Sequence, residues 1–372
     1  MSHGGSAFRV AGLYVGCAIF FALSGGLLRA DEPSQLAALP ELESPNERVV
    51  ELGRILFFDK RLAGDATLSC ADCHQPGMAF VDGLPLSKGY PGSLYFRNTP
   101  TLLNVAHRER VYWDGRLAAD DLPTVVRDHI SEAHFLQADG RLVIERLRQV
   151  PFYEQEFSSV FGGEPTYGRI LNSVAVFVAS LEARNAPLDR YLAGDEEALS
   201  ESARAGLDLF QGKAGCIRCH NGPLLTNHKA HGLGLESSAE IFRTPERHIT
   251  FRRFLRTLGV PDYENIRTDV GVYCVSKEEH DFGRFVTPSL RNVAETAPYM
   301  HDGQLGTLED VVAFYNQGGG GAAGKDELLQ PLDLSEAEQS QLVEFLKSLS
   351  GELPEIDVPE IPGYELRSLG QN

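Results

Sequence analysis

Apolar residues recur at helical spacing through most of this 372-residue chain, and no long apolar–polar alternation interrupts them. Ser44-Pro45-Asn46-Glu47 reads as a helix start, a capping box with Pro at the first helical position, and Val49, Leu52 and Leu56 follow on one face. Arg169 to Ala183 is a second apolar helix. Thr307-Leu308-Glu309-Asp310 opens a third that runs to Asn316, with Val311 and Tyr315 one turn apart. Ser335-Glu336-Ala337-Glu338 caps a fourth, whose face is Leu342, Val343, Leu346 and Leu349 and whose end is Gly351. Gly318 to Gly321 is a loop, residues 226–285 read as a long insertion, and the chain beyond Pro354 is Pro-rich and extended. The pattern predicts a mainly-α fold with long loops.

The same pattern occurs twice. Leu52-Gly53-Arg54-Ile55-Leu56-Phe57 is echoed by Ala205-Gly206-Leu207-Asp208-Leu209-Phe210. Thr99-Pro100-Thr101-Leu102-Leu103-Asn104-Val105-Ala106 is echoed by Thr287-Pro288-Ser289-Leu290-Arg291-Asn292-Val293-Ala294, and an Asp-Gly follows each at equal distance, Asp114-Gly115 and Asp302-Gly303. Self-similarity of this kind marks duplicated structural units. It predicts two tandem modules in a pseudo-twofold arrangement: a leader over 1–30, a first domain over 31–198, a second over 199–350, and a tail over 351–372.

Between the repeated segments lies the chemistry. Cys70-Ala-Asp-Cys73-His74 and Cys216-Ile-Arg-Cys219-His220 are two copies of Cys-x-x-Cys-His, the attachment signature of a c-type haem. Two thiols form thioether links to the haem vinyl groups, and the adjacent His reaches the iron from the same turn. Half a zinc site is the competing reading of one copy, but two copies use four of the six cysteines. Of the other two, Cys17 falls in the leader and Cys274 is expected to be a buried, inert thiol.

Formal net charge is −18, and residues 1–30 contribute only Arg9 and Arg29. So acidic a surface argues against a nucleic-acid partner and suits solubility or a basic protein partner. Arg9 precedes an apolar run from Val10 to Leu28 broken by four glycines, and acidic sequence begins at Asp31. This is the pattern of an export leader, with an uncleaved anchor as the alternative. Covalent haem attachment takes place outside the bacterial cytoplasm, so a periplasmic location is expected.

These residues resemble the bacterial di-haem cytochrome c peroxidases and their relative MauG. The resemblance covers about residues 45–350 and lies in Leu56-Phe57-Phe58-Asp59, Cys73-His74-Gln75-Pro76 with Phe80 and Asp82, Tyr112-Trp113-Asp114-Gly115-Arg116, and Thr287–Asn292 leading to Pro298-Tyr299-Met300-His301-Asp302-Gly303. It implies two mostly helical, cytochrome-c-like domains, each wrapping one covalent haem c. It also implies a calcium ion between them, mapping onto Asn98, Val286 and Pro288, and dimers in some members.

His74 and His220 are the expected proximal ligands. A peroxide-reacting first haem needs a distal group that moves a proton between the peroxide oxygens. In the family's peroxidases a His in the loop after the first motif can cover that face, and here the position is Tyr90. The family's distal carboxylate position falls on Phe135, flanked by Glu132 and His134. Aligning Leu122, Val125 and Val126 with Leu308, Val311 and Val312 sets His129 opposite Tyr315, so His129 is expected on the distal face as an acid–base group or a sixth ligand. Glu132 and His134 are the competing candidates there. On the second haem Tyr315 is the expected sixth ligand, with Met300 the alternative, while Met78 is read as packing. Trp113, the sole Trp, falls where the family places an aromatic between the haems. Arg97, Arg116 and Arg291 are candidates for the haem propionates. His107, His228, His231, His248 and His280 are read as surface residues. Phe251-Arg252-Arg253-Phe254-Leu255-Arg256 is read as a solvated helix face or, alternatively, a docking patch.

The expectation is an exported peroxidase-type oxidoreductase that reduces hydrogen peroxide with electrons from a small cytochrome c or copper protein. The alternatives are a MauG-like oxidase acting on aromatic residues of a partner protein, which Tyr90 and Tyr315 favour, and a non-catalytic di-haem electron carrier.

Overall fold

Two helix pairs, one per repeat, organise the chain. The computed structural model describes residues 35–363. The leader, Cys17 and the last nine residues of the tail lie outside the described residues. The described part is mainly helical, and its strands are two antiparallel pairs of two residues each, Arg110–Val111 with Leu117–Ala118 and Ala230–His231 with Phe285–Val286. Among the described residues no helix is long and apolar enough to cross a membrane.

In the first half the Glu47–Phe58 helix packs on Tyr167–Ala179 and in the second Glu201–Gln211 packs on Glu336–Lys347. The repeated glycine explains both crossings. A side chain at Gly53 would collide with the carbonyl of Ser173, and one at Gly206 with that of Gln341, so each helix approaches its partner's backbone directly. One turn further on, Phe57 meets Phe177 at 5.2 Å, and Phe210 meets Phe345 at 4.9 Å. The repeat extends to hydrogen bonds. Asn104 and Asn292 both take left-handed backbone (φ 57° and 56°), and each draws the end of its own half's second helix inward, through Leu181 O and Leu349 O. Thr101 and Ser289 donate to the equivalent carbonyls of Ala79 and Leu224.

Helix ends depart from the sequence expectation where two caps compete. Asn46, not Ser44, caps the first helix, its side chain accepting from Arg48 N at 3.0 Å, because Asn caps as well as Ser. The helix expected over 169–183 spans Tyr167–Ala179 and stops where the Ser180 hydroxyl turns back onto Phe177 O. The capping boxes at Thr307 with Asp310 and Ser335 with Glu338 form as expected.

Buried apolar residues of one core run from Leu52 to Ala183, and those of a second from Leu188 to Leu349. A third cluster belongs to the insertion. Its Pro245–Thr257 helix turns Phe251, Phe254 and Leu255 inward onto Tyr95 and Phe96 and leaves Arg253 and Arg256 exposed. Arg247 fastens it by donating to the carbonyls of Ser87, Leu86 and Tyr95. The extended tail returns to the first core, where Ile356 and Ile361 pack and Arg61 reaches Pro362 O at 2.6 Å.

Candidate functional site

Each Cys-x-x-Cys-His segment forms one short 3₁₀ turn, Cys70–Asp72 and Cys216–Arg218, that places both thiols and the following His together. None of the four cysteines is in a disulfide. The His74 ring nitrogen Nδ1 lies 3.0 Å from Phe80 O, and that of His220 lies 3.0 Å from Leu225 O. A carbonyl only accepts, so the proton is on Nδ1 and Nε2 carries a free lone pair. This is how metal-ligating imidazoles are oriented. Burial keeps the charged form unfavourable, pushing His74 below its ordinary value and His220 down to about 4. Burial also pushes Cys70 and Cys216 up to about 12. Among the described residues no three His, Cys, Asp or Glu side chains gather to hold a lone metal ion. The donor set fits two covalent haems and not a zinc site.

Opposite His74 stands His129, from the Leu122–Ser131 helix, with ring centroids 6.2 Å apart. Burial first, and then His74, push His129 down to about 4, so it is neutral at pH 7. Its Nδ1 lies 2.9 Å from Val125 O and 3.1 Å from the Tyr112 hydroxyl. Phe135 stacks on the same ring at 4.3 Å and meets the His134 ring at the same separation but inclined by 58°. Glu132 Oε2 is 2.8 Å from His134 Nε2, an ion-pair contact off the ideal hydrogen-bond direction. Burial would raise Glu132, but His134 and then Arg116 outweigh it and hold the carboxylate below its ordinary value. Thus His129, Glu132 and His134 gather, and Phe135 is the ring between them. Tyr90 does not join them. Its hydroxyl is set against Asp65 on a solvent-facing loop.

His220 faces a cavity of about 250 Å³ that both halves line. Cys216, Cys219, Tyr315, Met300 and His301 come from the second half, and Asn98, Thr99, Arg108 and Trp113 from the first. The Tyr315 hydroxyl makes no hydrogen bond among the described residues, and burial raises its pKa. Met300 lines the same cavity on left-handed backbone, φ 74°. Met78 is 42 % exposed, so it does not pack as expected: its turn points outward. Trp113 donates to Asn98 O at 3.0 Å and accepts from Val286 N through its own carbonyl, which ties the two halves at the cavity wall. Asn98, Val286 and Pro288, the expected calcium residues, all line this cavity, and the Asn98 amide donates to Leu84 O.

All three expected propionate arginines pair with carboxylates, and two of them have every guanidinium nitrogen engaged. Arg97 is fully buried between Asp269 (2.6 and 2.8 Å) and Asp114 (2.5 Å). Arg291 is held by Asp189 and the carbonyls of Pro223 and Ala37. Arg116 pairs with Asp114, lies 3.4 Å over the Tyr112 ring and keeps one buried, unpartnered Nη2. Arg108 was not singled out by its sequence. It lines the cavity without a carboxylate partner, burial lowers it to about 10, and its Nε is unsatisfied. Arg116 and Arg108 are therefore the guanidiniums open to a haem carboxylate. Two histidines are not free surface residues: His107 is buried against Glu182 and His231 is paired with Asp326 at 2.7 Å. Cys274 is buried as expected, with Sγ 3.6 Å from Asp114.

Comparison with known proteins agrees with this geometry. The family model of di-haem cytochrome c peroxidase matches residues 47–197. The chain is 45 % identical over 364 residues to the cytochrome-c peroxidase IdrP2 of Denitromonas iodatirespirans, covering 98 % of this chain and 97 % of that one. It is 35 % identical to the methylamine utilization protein MauG of Methylorubrum extorquens, covering 84 % and 81 %. Among solved structures it resembles a MauG-like protein associated with microbial copper homeostasis, with a TM-score of 0.71, 27 % identity, and coverage of 87 % and 95 %. The chain belongs to the di-haem cytochrome c peroxidase family. It is a peroxidase-type oxidoreductase with two haem c groups, carried in two cytochrome-c-like domains.

Proposed function

We propose that this family member is exported and reduces hydrogen peroxide to water on the His129 side of the first haem, drawing two electrons singly from an external redox protein through the second haem. The observation that carries this reading is the difference between two equivalent positions. Beside His74 the repeat supplies His129 with Glu132 and His134 near it, whereas beside His220 it supplies Tyr315 in an apolar wall. Glu132 and His134 are proton-handling groups of the kind that belong where peroxide is cleaved, and Tyr315 with no such neighbours suits a haem that holds electrons.

When bound, the haems supply the redox-active irons. The protein does the rest. Glu132, ionised and beside His134, is the base that takes a proton from peroxide, and His134 steadies the carboxylate. Arg116 offers its unpartnered Nη2 to an anion near Tyr112. The insertion covers this side by seating Phe254 on Phe96 and excludes bulk water. Trp113 bridges the halves and is the oxidisable group between them. The neutral oxygens of Asn98, Val286 and Pro288 suit a calcium ion at the same seam. A domain division over residues 184–187, ahead of the expected 198, is supported by the two cores, the first ending at Ala183 and the second beginning at Leu188. Export is supported by the leader pattern and by where covalent haem attachment occurs.

Tyr315 favours a second reading. A phenolate ligand stabilises ferric iron and lowers its potential, which suits oxidation of an aromatic residue on a partner protein, the MauG-like chemistry. One assay separates the two. Purified holoprotein from the periplasmic fraction is given peroxide and a reduced small cytochrome c. Rapid donor oxidation supports the peroxidase. Peroxide-dependent modification of a partner, with the cytochrome left reduced, supports the other.

A further inference from the structure

We infer that His129 Nε2 is the sixth ligand of the first haem's iron in the resting protein, so that the Leu122–Ser131 helix, and not the loop carrying Tyr90, closes the peroxide face. This rests on the first motif carrying a haem. Four observations lead to it.

The His74 and His129 centroids are 6.2 Å apart and their planes are inclined by 57°. Two imidazoles that share one metal, each nitrogen about 2.0–2.1 Å from it, have centroids about 6 Å apart. The His129 proton is fixed on Nδ1 by Val125 O at 2.9 Å, which leaves the Nε2 lone pair free. His74 and His220 are prepared in the same way, each by a main-chain carbonyl at 3.0 Å. The His129 ring is held in place by Tyr112 at 5.5 Å and Phe135 at 4.3 Å, both nearly parallel to it. Finally, His129 occupies in the Leu122–Ser131 helix the place that Tyr315 occupies in Leu308–Asn316, where Tyr315 lines the cavity of the second proximal His.

An acid–base role for His129 in this position fails on space. A peroxide between ring and metal would add at least one hydrogen bond of about 2.7–3.0 Å to the separation. The 6.2 Å gap holds one metal atom and nothing more. His129 must therefore leave before peroxide enters, and Glu132 with His134 remains for the proton.

The test uses ferric holoprotein with its haem content measured by pyridine haemochrome. The wild type should show the near-infrared and electron paramagnetic signature of a low-spin bis-imidazole haem. His129→Gln should convert one of the two haems to high spin. It should also speed cyanide binding about tenfold or more, the factor by which a site open a tenth of the time is slowed. Imidazole added to His129→Gly should restore the low-spin signature. A high-spin first haem in the wild type, unchanged by His129→Gln, overturns the inference while leaving the haem reading intact. Fewer than two haems per chain overturns both.

Discussion

His74 and His220 are held by carbonyls of Phe80 and Leu225, residues that the chain places five or six positions downstream in a tight return. The attachment residues were legible because covalent chemistry demands a fixed local spacing. The place of Tyr315 on the wall of the His220 cavity was legible through the repeat. Arg108 was not, because its Nη2 is held only by the carbonyls of Thr101 and Leu103, and nothing in its neighbours records that it faces a cavity from the other half. Tyr90 misled for the converse reason: its place in the sequence matches, but its loop turns it toward Asp65. Replacing Tyr315 with Met should raise the midpoint potential of the second haem, since thioether favours ferrous iron, whereas Met300→Leu should leave it in place. Potentiometric titration of both variants checks this. Arg108→Gln should lower the same potential by leaving a haem carboxylate without its cation. Asp114 gives a prediction with pH. Burial alone would raise it, but Arg116 and Arg97 hold it at about 2. Its folded pKa lies below the ordinary value of about 3.9, so its stabilisation is present above about pH 4 and is lost as pH falls through about 2. Asp114→Asn should cost about 3 kcal/mol or more at pH 7 by stranding buried guanidiniums. Its stability should be flatter than the wild type's between pH 4 and 2, measured by urea unfolding.

Helix identity was legible from periodicity, and helix ends less so, because Ser44 and Asn46 both offer a capping oxygen and only tertiary packing chooses between them. The duplicated crossings were visible in sequence as a shared glycine, but its purpose appears only when Gly53 meets Ser173 and Gly206 meets Gln341. Alanine at either glycine forces two packed backbones apart. Overpacking of this kind costs about 1–3 kcal/mol or more. Gly53→Ala and Gly206→Ala should each lower the unfolding midpoint, by similar amounts because the two contacts are equivalent, as read by calorimetry. The insertion was seen as a basic aromatic stretch, and its division into an inward Phe251, Phe254 and Leu255 face and an outward arginine face follows from helical spacing once Phe96 supplies a partner.

The halves meet where Trp113, Asn98, Val286 and Pro288 share one cavity wall, so the proposed electron path and the cohesion of the halves rest on the same few residues. Trp113→Phe should leave both haem spectra unchanged and slow transfer between the haems several-fold, seen by stopped-flow reduction. The pseudo-twofold plan was legible from the repeat, but the asymmetry from which a separate task is proposed for each haem was only half legible, because His129 and Tyr315 align in sequence while their surroundings do not. In the proposed mechanism the two halves cooperate in passing two electrons to one peroxide. The most direct measurement is the stoichiometry of turnover, with reduced small cytochrome c and limiting hydrogen peroxide. Two donors oxidised per peroxide consumed, lost when His220 is replaced by Gly in a protein that retains its first haem, is the predicted result. Peroxide consumed without donor oxidation, or at an undiminished rate in that variant, would contradict the account.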